Sequence, residues 1–456
     1  MSNCFAHGAS CIVKNEYTRH VGNHFSDEAR ESVAVFALRV ASLVMGIAAT
    51  VLLARILGPD KFGLYSLVLA AATLAALPAH AGLGTLVLRI TSAEYVKGAY
   101  SLVLGMWRWT IRAQATISVA VMGIAALALW LVSGQLTSDE VHATIFGILL
   151  TPVLALSATR IAMMRGLGDP VAGVMLEALL QPALLLVGLV MLWLVSRLEP
   201  VSALALYLGT VLVTFVFGYF LVLWRSPKEI FQATPEYQAG EWWRAVFPLA
   251  LLVGIERLIK YTDILLLGAL GTAADVGLYR VAVQGADVIV FALAVIMLVF
   301  GPRLARLHAQ GDTASLQKLV TQGSRWSMVA AGLSFLVLLI AGEWLLTVVF
   351  GVRYTESIQP LLILAAGQLV VAWFGVTLTV LKMTGNERSS AVILGAAAVG
   401  NVALNYILIP PLGPTGAAIA TALTLGVSRV ALSRIVQKRL GVYAGVLGSR
   451  FRGNAG

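Results

Sequence analysis

From about Val33 to Leu440 the chain consists of apolar runs, each long enough to cross a bilayer and separated from the next by a brief polar break. One crossing takes about 20 apolar residues. We read twelve runs, at 33–57, 63–88, 112–133, 142–164, 171–195, 201–224, 245–270, 276–300, 326–349, 358–382, 389–409 and 415–436. Lipid offers the backbone no hydrogen-bond partner, so runs of this length have to be helical; a membrane barrel would show shorter, alternating segments. The expected fold is therefore all-α. With 59% apolar and 12% charged residues, no stretch remains for a soluble domain.

Basic residues concentrate on the cytoplasmic side of membrane proteins. If the N-terminus lies inside, 24 of the 32 Lys and Arg fall on that side, five outside (Arg55, Lys61, Arg197, Arg280, Arg353), and three within spans (Arg39, Arg257, Lys260). Nine of the ten Trp then sit at a lipid–water boundary, as an aromatic belt does. Both termini are expected to be cytoplasmic. The net charge of +10 follows from this asymmetry and needs no nucleic-acid partner. The basic C-terminal tail reads as a headgroup-facing anchor.

The first thirty residues are polar, without the apolar core and cleavage site of a secretory signal, and read as a disordered cytoplasmic tail. Cys4, His7, Cys11, His20 and His24 lie in it, but their spacing fits no zinc pattern, so no metal site is expected. Nor do two cytoplasmic cysteines call for a disulfide.

An internal repeat is legible. "LGPDKFGLY" (57–65) and "LGTAADVGLY" (270–279) each open an even-numbered span, and Gly63 and Gly277 are separated by 277 − 63 = 214 residues. The same offset relates Trp130 to Trp344 and Arg89 to Arg303, and "RGLGD" (165–169) matches "KMTGN" (382–386) at nearly the same distance. Duplication of a six-span unit predicts two six-helix lobes related by a pseudo-two-fold axis along the membrane normal, facing a central cleft. The expected divisions are a tail (1–32), an N-terminal lobe (33–224), a cytoplasmic linker (225–244), a C-terminal lobe (245–440) and a second tail (441–456).

Charges inside the spans are the candidate functional groups, because each costs about 2.5–3.5 kcal/mol at a helix centre facing lipid. Glu256, Lys260 and Asp263 follow i, i+4, i+7 spacing, with Arg257 beside them, and form one polar stripe on span 7. Arg280, Gln284 and Asp287 repeat the spacing on span 8; Arg39, Glu177, Gln181, Gln368, Asn401 and Asn405 lie on other spans. Such groups converge only in the interior. Mutual ion pairs locking the helices together are one reading; a hydrated cavity for a polar, anionic substrate is the one favoured by so many groups along one stripe. Arg39 is near enough to a helix end to snorkel, Arg160 and Arg280 read as interfacial, and His80 beside Pro78 reads as packing at a proline kink.

With these residues in hand the sequence resembles the polysaccharide biosynthesis membrane proteins, the Wzx-type lipid-linked oligosaccharide flippases of the multidrug/oligosaccharidyl-lipid/polysaccharide (MOP) exporter superfamily. The resemblance is carried by "LLARILGPDKFGLYSLV", "GLGTLVLRITSAEYVKG", "RGLGDP", "YTDILLLGALGTAADVGLYRVA", "GPRLARLHAQGDTASLQKLV" and "GPTGAAIATAL", in this order. It implies alternating access between the lobes and a polyprenyl-pyrophosphate-linked oligosaccharide as substrate, moved across a bacterial inner membrane for O-antigen (lipopolysaccharide), capsule or exopolysaccharide synthesis. It further implies that Arg39, Arg257 and Lys260 receive the anionic head, that Glu256, Asp263, Glu177 and Asp287 are candidates for proton or sodium coupling, and that polymerase and chain-length machinery are partners. Drug exporters of the superfamily often carry an acidic residue in span 1, whereas here the span has Arg39, which points away from a cationic drug.

Two other classes fit poorly. A membrane glycosyltransferase or polymerase would need a substantial outer loop, and the loops between these spans are short; no GxxxxGK[ST] phosphate loop is present for ATP. No catalytic residues and no resident cofactor are expected. A cation-coupled multidrug exporter of the same superfamily remains the alternative.

Overall fold

The computed structural model describes the backbone of residues 5–384 and 387–448. Cys4, the Gly385–Asn386 end of the "KMTGN" marker and the last basic residues of the tail lie outside them, as do the side chains of His7, Cys11, His20 and His24. Among the described residues every regular element is helical, in line with the all-α expectation. The helices are α1 (Phe5–Ala75), α2 (Leu77–His80), α3 (Leu83–Val96), α4 (Tyr100–Val132), α5 (Ser138–Gly166), α6 (Pro170–Met175), α7 (Gln181–Leu194) and α8 (Pro200–Arg225). They continue as α9 (Lys228–Gln232), α10 (Ala239–Leu270), α11 (Ala273–Ala309), α12 (Thr313–Val349), α13 (Ile358–Phe374), α14 (Thr377–Met383) and α15 (Glu387–Leu440). Because α1 begins at Phe5, the tail expected to be disordered is helical from that residue.

Eight helical segments among the described residues are long and apolar enough to cross a membrane. Two of them, Phe36–His80 and Ser389–Leu440, exceed one crossing, and each contains a break. Gly58 (φ 74°) interrupts α1 and Gly413 (φ 52°) interrupts α15, both followed by proline. A left-handed φ is easy only for glycine, and proline next to it removes a donor, so the sequence Leu-Gly-Pro breaks each long helix without a loop. The kink expected near Pro78 is present as a gap in helix around Ala76 and Gly82.

The ends of the other helices are set by local chemistry. Thr137 with Glu140 and Thr272 with Asp275 form reciprocal capping boxes at the starts of α5 and α11, and Asp312 caps α12 through the Ser315 amide. The Ser315 hydroxyl, and then that amide, hold the exposed Asp312 carboxyl below the usual range. Segment 225–244, expected as a linker, packs along α4: Ile230 and Trp242 are buried, and the Glu236 amide donates to the Ser101 carbonyl.

Large apolar side chains are exposed along whole helix faces, such as Val119 and Ile124 on α4, Phe220 on α8 and Ile340 on α12. A face of this kind needs lipid around it. The chain is a multi-pass membrane protein. Its largest apolar cluster runs through α1 and α11, joining Leu57, Phe62 and Tyr65 to Val276, Tyr279 and Ala282. The C-terminal end is tied down as well: Gln317 of α12 exchanges two hydrogen bonds with the Tyr443 backbone (2.7 and 2.9 Å), and Val442 is buried among α11, α12, α14 and α15.

Candidate functional site

The four charges at 256–263 of α10 do not share one environment. Asp263 is 3% exposed and turned inward, while Glu256, Arg257 and Lys260 are exposed. Around Asp263 four segments converge: α10 itself, α11, and the arms of α15 on either side of the Gly413 break. The Tyr279 hydroxyl donates to Oδ2 at 2.8 Å, the Asn405 amide to Oδ1 at 2.8 Å, and the Thr421 hydroxyl also donates to Oδ2. Asn405 bonds in turn to the Asn401 side chain at 3.1 Å, and Asn401 reaches Thr421 at 3.5 Å.

Tyr279, Asn405 and Thr421 are all neutral, so the Asp263 carboxylate is held here by hydrogen bonds and not by an ion pair. A buried carboxylate held by hydroxyl and amide donors is suited to gain and lose a proton. No group of three or more His, Cys, Asp or Glu that could hold a metal occurs among the described residues. Asn401, Asn405 and Asp263 were visible in the sequence as intramembrane polar groups. Tyr279 and Thr421 were not, although Tyr279 repeats Tyr65 at the 214-residue offset.

The other candidates are scattered differently from expectation. Arg257 lies within electrostatic reach of His80, across the two halves of the chain. Glu256 lies within electrostatic reach of Arg429, a cation inside α15. Arg39 is exposed on α1, and Asp287 is half-buried within reach of Tyr279. Arg280 is half-buried within electrostatic reach of Tyr65 and Tyr207, the latter bonded to Gln181.

Arg160, also expected at the interface, is 2% exposed and forms an ion pair with Glu177, so Glu177 is committed to a cation rather than standing alone. Glu177 sits in a single π-helical turn, Leu176–Leu180, ahead of Pro182; such turns are frequent at functional sites.

The two halves meet at glycines. A Cβ on Gly63 would run into the carbonyl of Ala273, and a Cβ on Gly277 into the carbonyl of Pro59. Pro59 and Ala273 are themselves 214 residues apart, so the contact is reciprocal under the sequence repeat. At the same end the Tyr354 hydroxyl donates to the Ala54 carbonyl at 2.9 Å. Elsewhere Gly82 is held against the backbone of Val246 and Ala250 on α10.

Comparison with known proteins places this architecture. Over 175 residues the chain is 28% identical to the probable low-salt glycan biosynthesis flippase Agl15 of Haloferax volcanii, a match covering 38% of this chain and 36% of that relative. A multidrug resistance MATE family transporter of the MOP superfamily, solved in an inward-facing conformation, superposes with TM-score 0.74 at 13% identity, over 93% of this chain and all of that one. The lipid II flippase MurJ in an inward closed conformation superposes with TM-score 0.69 at 12% identity, over 90% and 87%. At these identities the likeness is one of fold. Residues 30–308, more than half of the chain, match the polysaccharide biosynthesis protein family, and the chain belongs to that family.

Proposed function

We propose that the chain is a flippase that carries a polyprenyl-pyrophosphate-linked oligosaccharide across the inner membrane by alternating access of two six-helix lobes, 33–224 and 245–440. The observation that carries this reading is the way α10 sorts its charges. Asp263 is buried among neutral donors from α11 and α15, where it serves ion coupling, while Arg257 and Lys260 stay accessible on the same helix, where they receive the pyrophosphate. Arg39 contributes further positive charge on α1. The reciprocal Gly63 and Gly277 contact supports the two-lobe arrangement. Both termini are cytoplasmic in this reading, and the polymerase and chain-length machinery are its partners in surface polysaccharide synthesis.

The test uses purified protein in liposomes carrying a lipid-linked oligosaccharide. Inner-leaflet glycan becomes accessible to an external glycosidase in a protein-dependent way, and the Arg257→Ala/Lys260→Ala double variant loses at least 90% of the rate, on the order of the tenfold effect that 1.4 kcal/mol produces. Absence of exposure with several glycans, together with ion-driven efflux of a cationic dye, would move the protein to the drug exporters.

A further inference from the structure

A groove of about 280 Å³ lies on the flank of the N-terminal half, away from α10. Its floor is α5, with Leu156, Thr159, Arg160 and Met163; its walls are Ile111 of α4 and Phe215 and Tyr219 of α8. The neighbouring faces of α4 and α8 expose Val119, Val216, Phe217 and Phe220, and Tyr219 is 44% exposed at the rim. The groove therefore opens toward the bilayer.

The polar groups at its floor are under-satisfied. An arginine has five N–H donors, and Glu177 engages only one end of Arg160. Nε and Nη1 have no hydrogen-bond acceptor, and the Thr159 hydroxyl, also buried, has no partner. Room for the guanidinium exists because α8 has glycine at 218; a Cβ there would overlap it. Buried donors of a charged group call for an acceptor.

Depth and shape indicate which one. Arg160 is six residues from the Gly166 end of α5, roughly 9 Å along the axis, which is cytoplasmic in the orientation proposed above. Leu156 and Phe215 lie deeper in the membrane. Arg108, exposed on α4, precedes Ile111 by three residues and so shares its face one turn closer to that end. The gradient runs from exposed cation through buried guanidinium and hydroxyl to apolar wall. A phospholipid has the matching order of anionic headgroup, phosphate and acyl chain, and basic pockets between transmembrane helices on the cytoplasmic side bind such headgroups.

We propose that this groove binds an anionic phospholipid of the cytoplasmic leaflet, with Arg160 and Thr159 donating to its phosphate, Arg108 at the mouth, and one acyl chain against Leu156 and Phe215. The site is separate from the α10 charges, so its test does not depend on flipping.

Native mass spectrometry of the purified full chain, equilibrated with phosphatidylglycerol or phosphatidylcholine, reads it directly. Wild-type protein is expected to retain phosphatidylglycerol at least several-fold over phosphatidylcholine. Arg160→Met/Glu177→Leu, which removes the charge pair together, is expected to abolish that preference, and Thr159→Val and Gly218→Ala, which leave both charges in place, to reduce it. An unchanged preference in these variants, equal retention of both lipids by wild type, or displacement by excess inorganic phosphate, which would mean a free-anion site, overturns the proposal.

Discussion

Gly63 and Gly277 lie backbone to backbone between the two halves of the chain, each against the carbonyl of the residue four positions before the other. Pro59 and Ala273 share the 214-residue offset of the two glycines, so the contact reads the same from either half. This contact closes one end of the molecule, together with the Tyr354 hydroxyl on the Ala54 carbonyl.

Gly63→Ala and Gly277→Ala should therefore weaken that closure. Backbone carbonyls cannot swing aside as a side-chain tip can, and overpacking costs about 1–3 kcal/mol. The ratio of closed to open molecules should fall roughly 5- to 150-fold. Spin labels at the exposed positions Asp60 and Val352 would report it as a longer distance component; an unchanged distance distribution would deny the contact a gating role.

Asp263→Asn keeps size and hydrogen-bonding capacity while removing the charge. It should leave the protein monodisperse and abolish the dependence of transport on a proton or sodium gradient, measured in liposomes with an imposed gradient. Tyr279→Phe removes one donor to the same carboxylate, worth about 1.5–3 kcal/mol for a bond to a charged group. Its effect should be partial, and a gradient dependence retained in Asp263→Asn would place coupling elsewhere.

Arg160→Ala should be among the most destabilising substitutions in the N-terminal half. It strands Glu177 inside the fold, and breaking a buried pair from one side costs about 3–5 kcal/mol. Exchange of both residues for apolar ones of similar volume should recover most of that loss. Thermal unfolding in detergent distinguishes the cases, and equal midpoints for the single and double variants would show that the pair is not energetically coupled.

Much of this was written plainly in the sequence, because hydrophobicity along one helix is a local property. The apolar runs and the kink at Pro78 needed only neighbours in sequence. The site was half legible. Asp263 stood out as a charge in an apolar run, but its partners Tyr279 and Thr421 are brought to it by packing of α10, α11 and α15, and a tyrosine or threonine in a transmembrane helix carries no signal of its own. The burial of Arg160 was hidden for the same reason: a basic residue near a helix end looks exposed until Glu177 and Gly218 are seen beside it.

Gln317→Leu should release the segment beyond α15, since both hydrogen bonds to the Tyr443 backbone depend on one amide. Limited proteolysis should then cleave between Gly441 and Val446 several times faster than in wild type. Equal cleavage rates would show that the buried Val442 alone holds the segment.

The breaks at Gly58 and Gly413 have a mechanical consequence. Each confines the break in a long helix to a single residue with non-helical φ/ψ, so neither elbow contains slack that could stretch or unwind independently of its arms. Any opening at the end where Gly63 meets Gly277 has to carry the α1 elbow as a stiff bracket, transmitting tilt from one arm to the other as a folded ruler does. Inserting flexible residues after Gly58 would turn that bracket into a loose joint, letting one arm tilt while the other stays still.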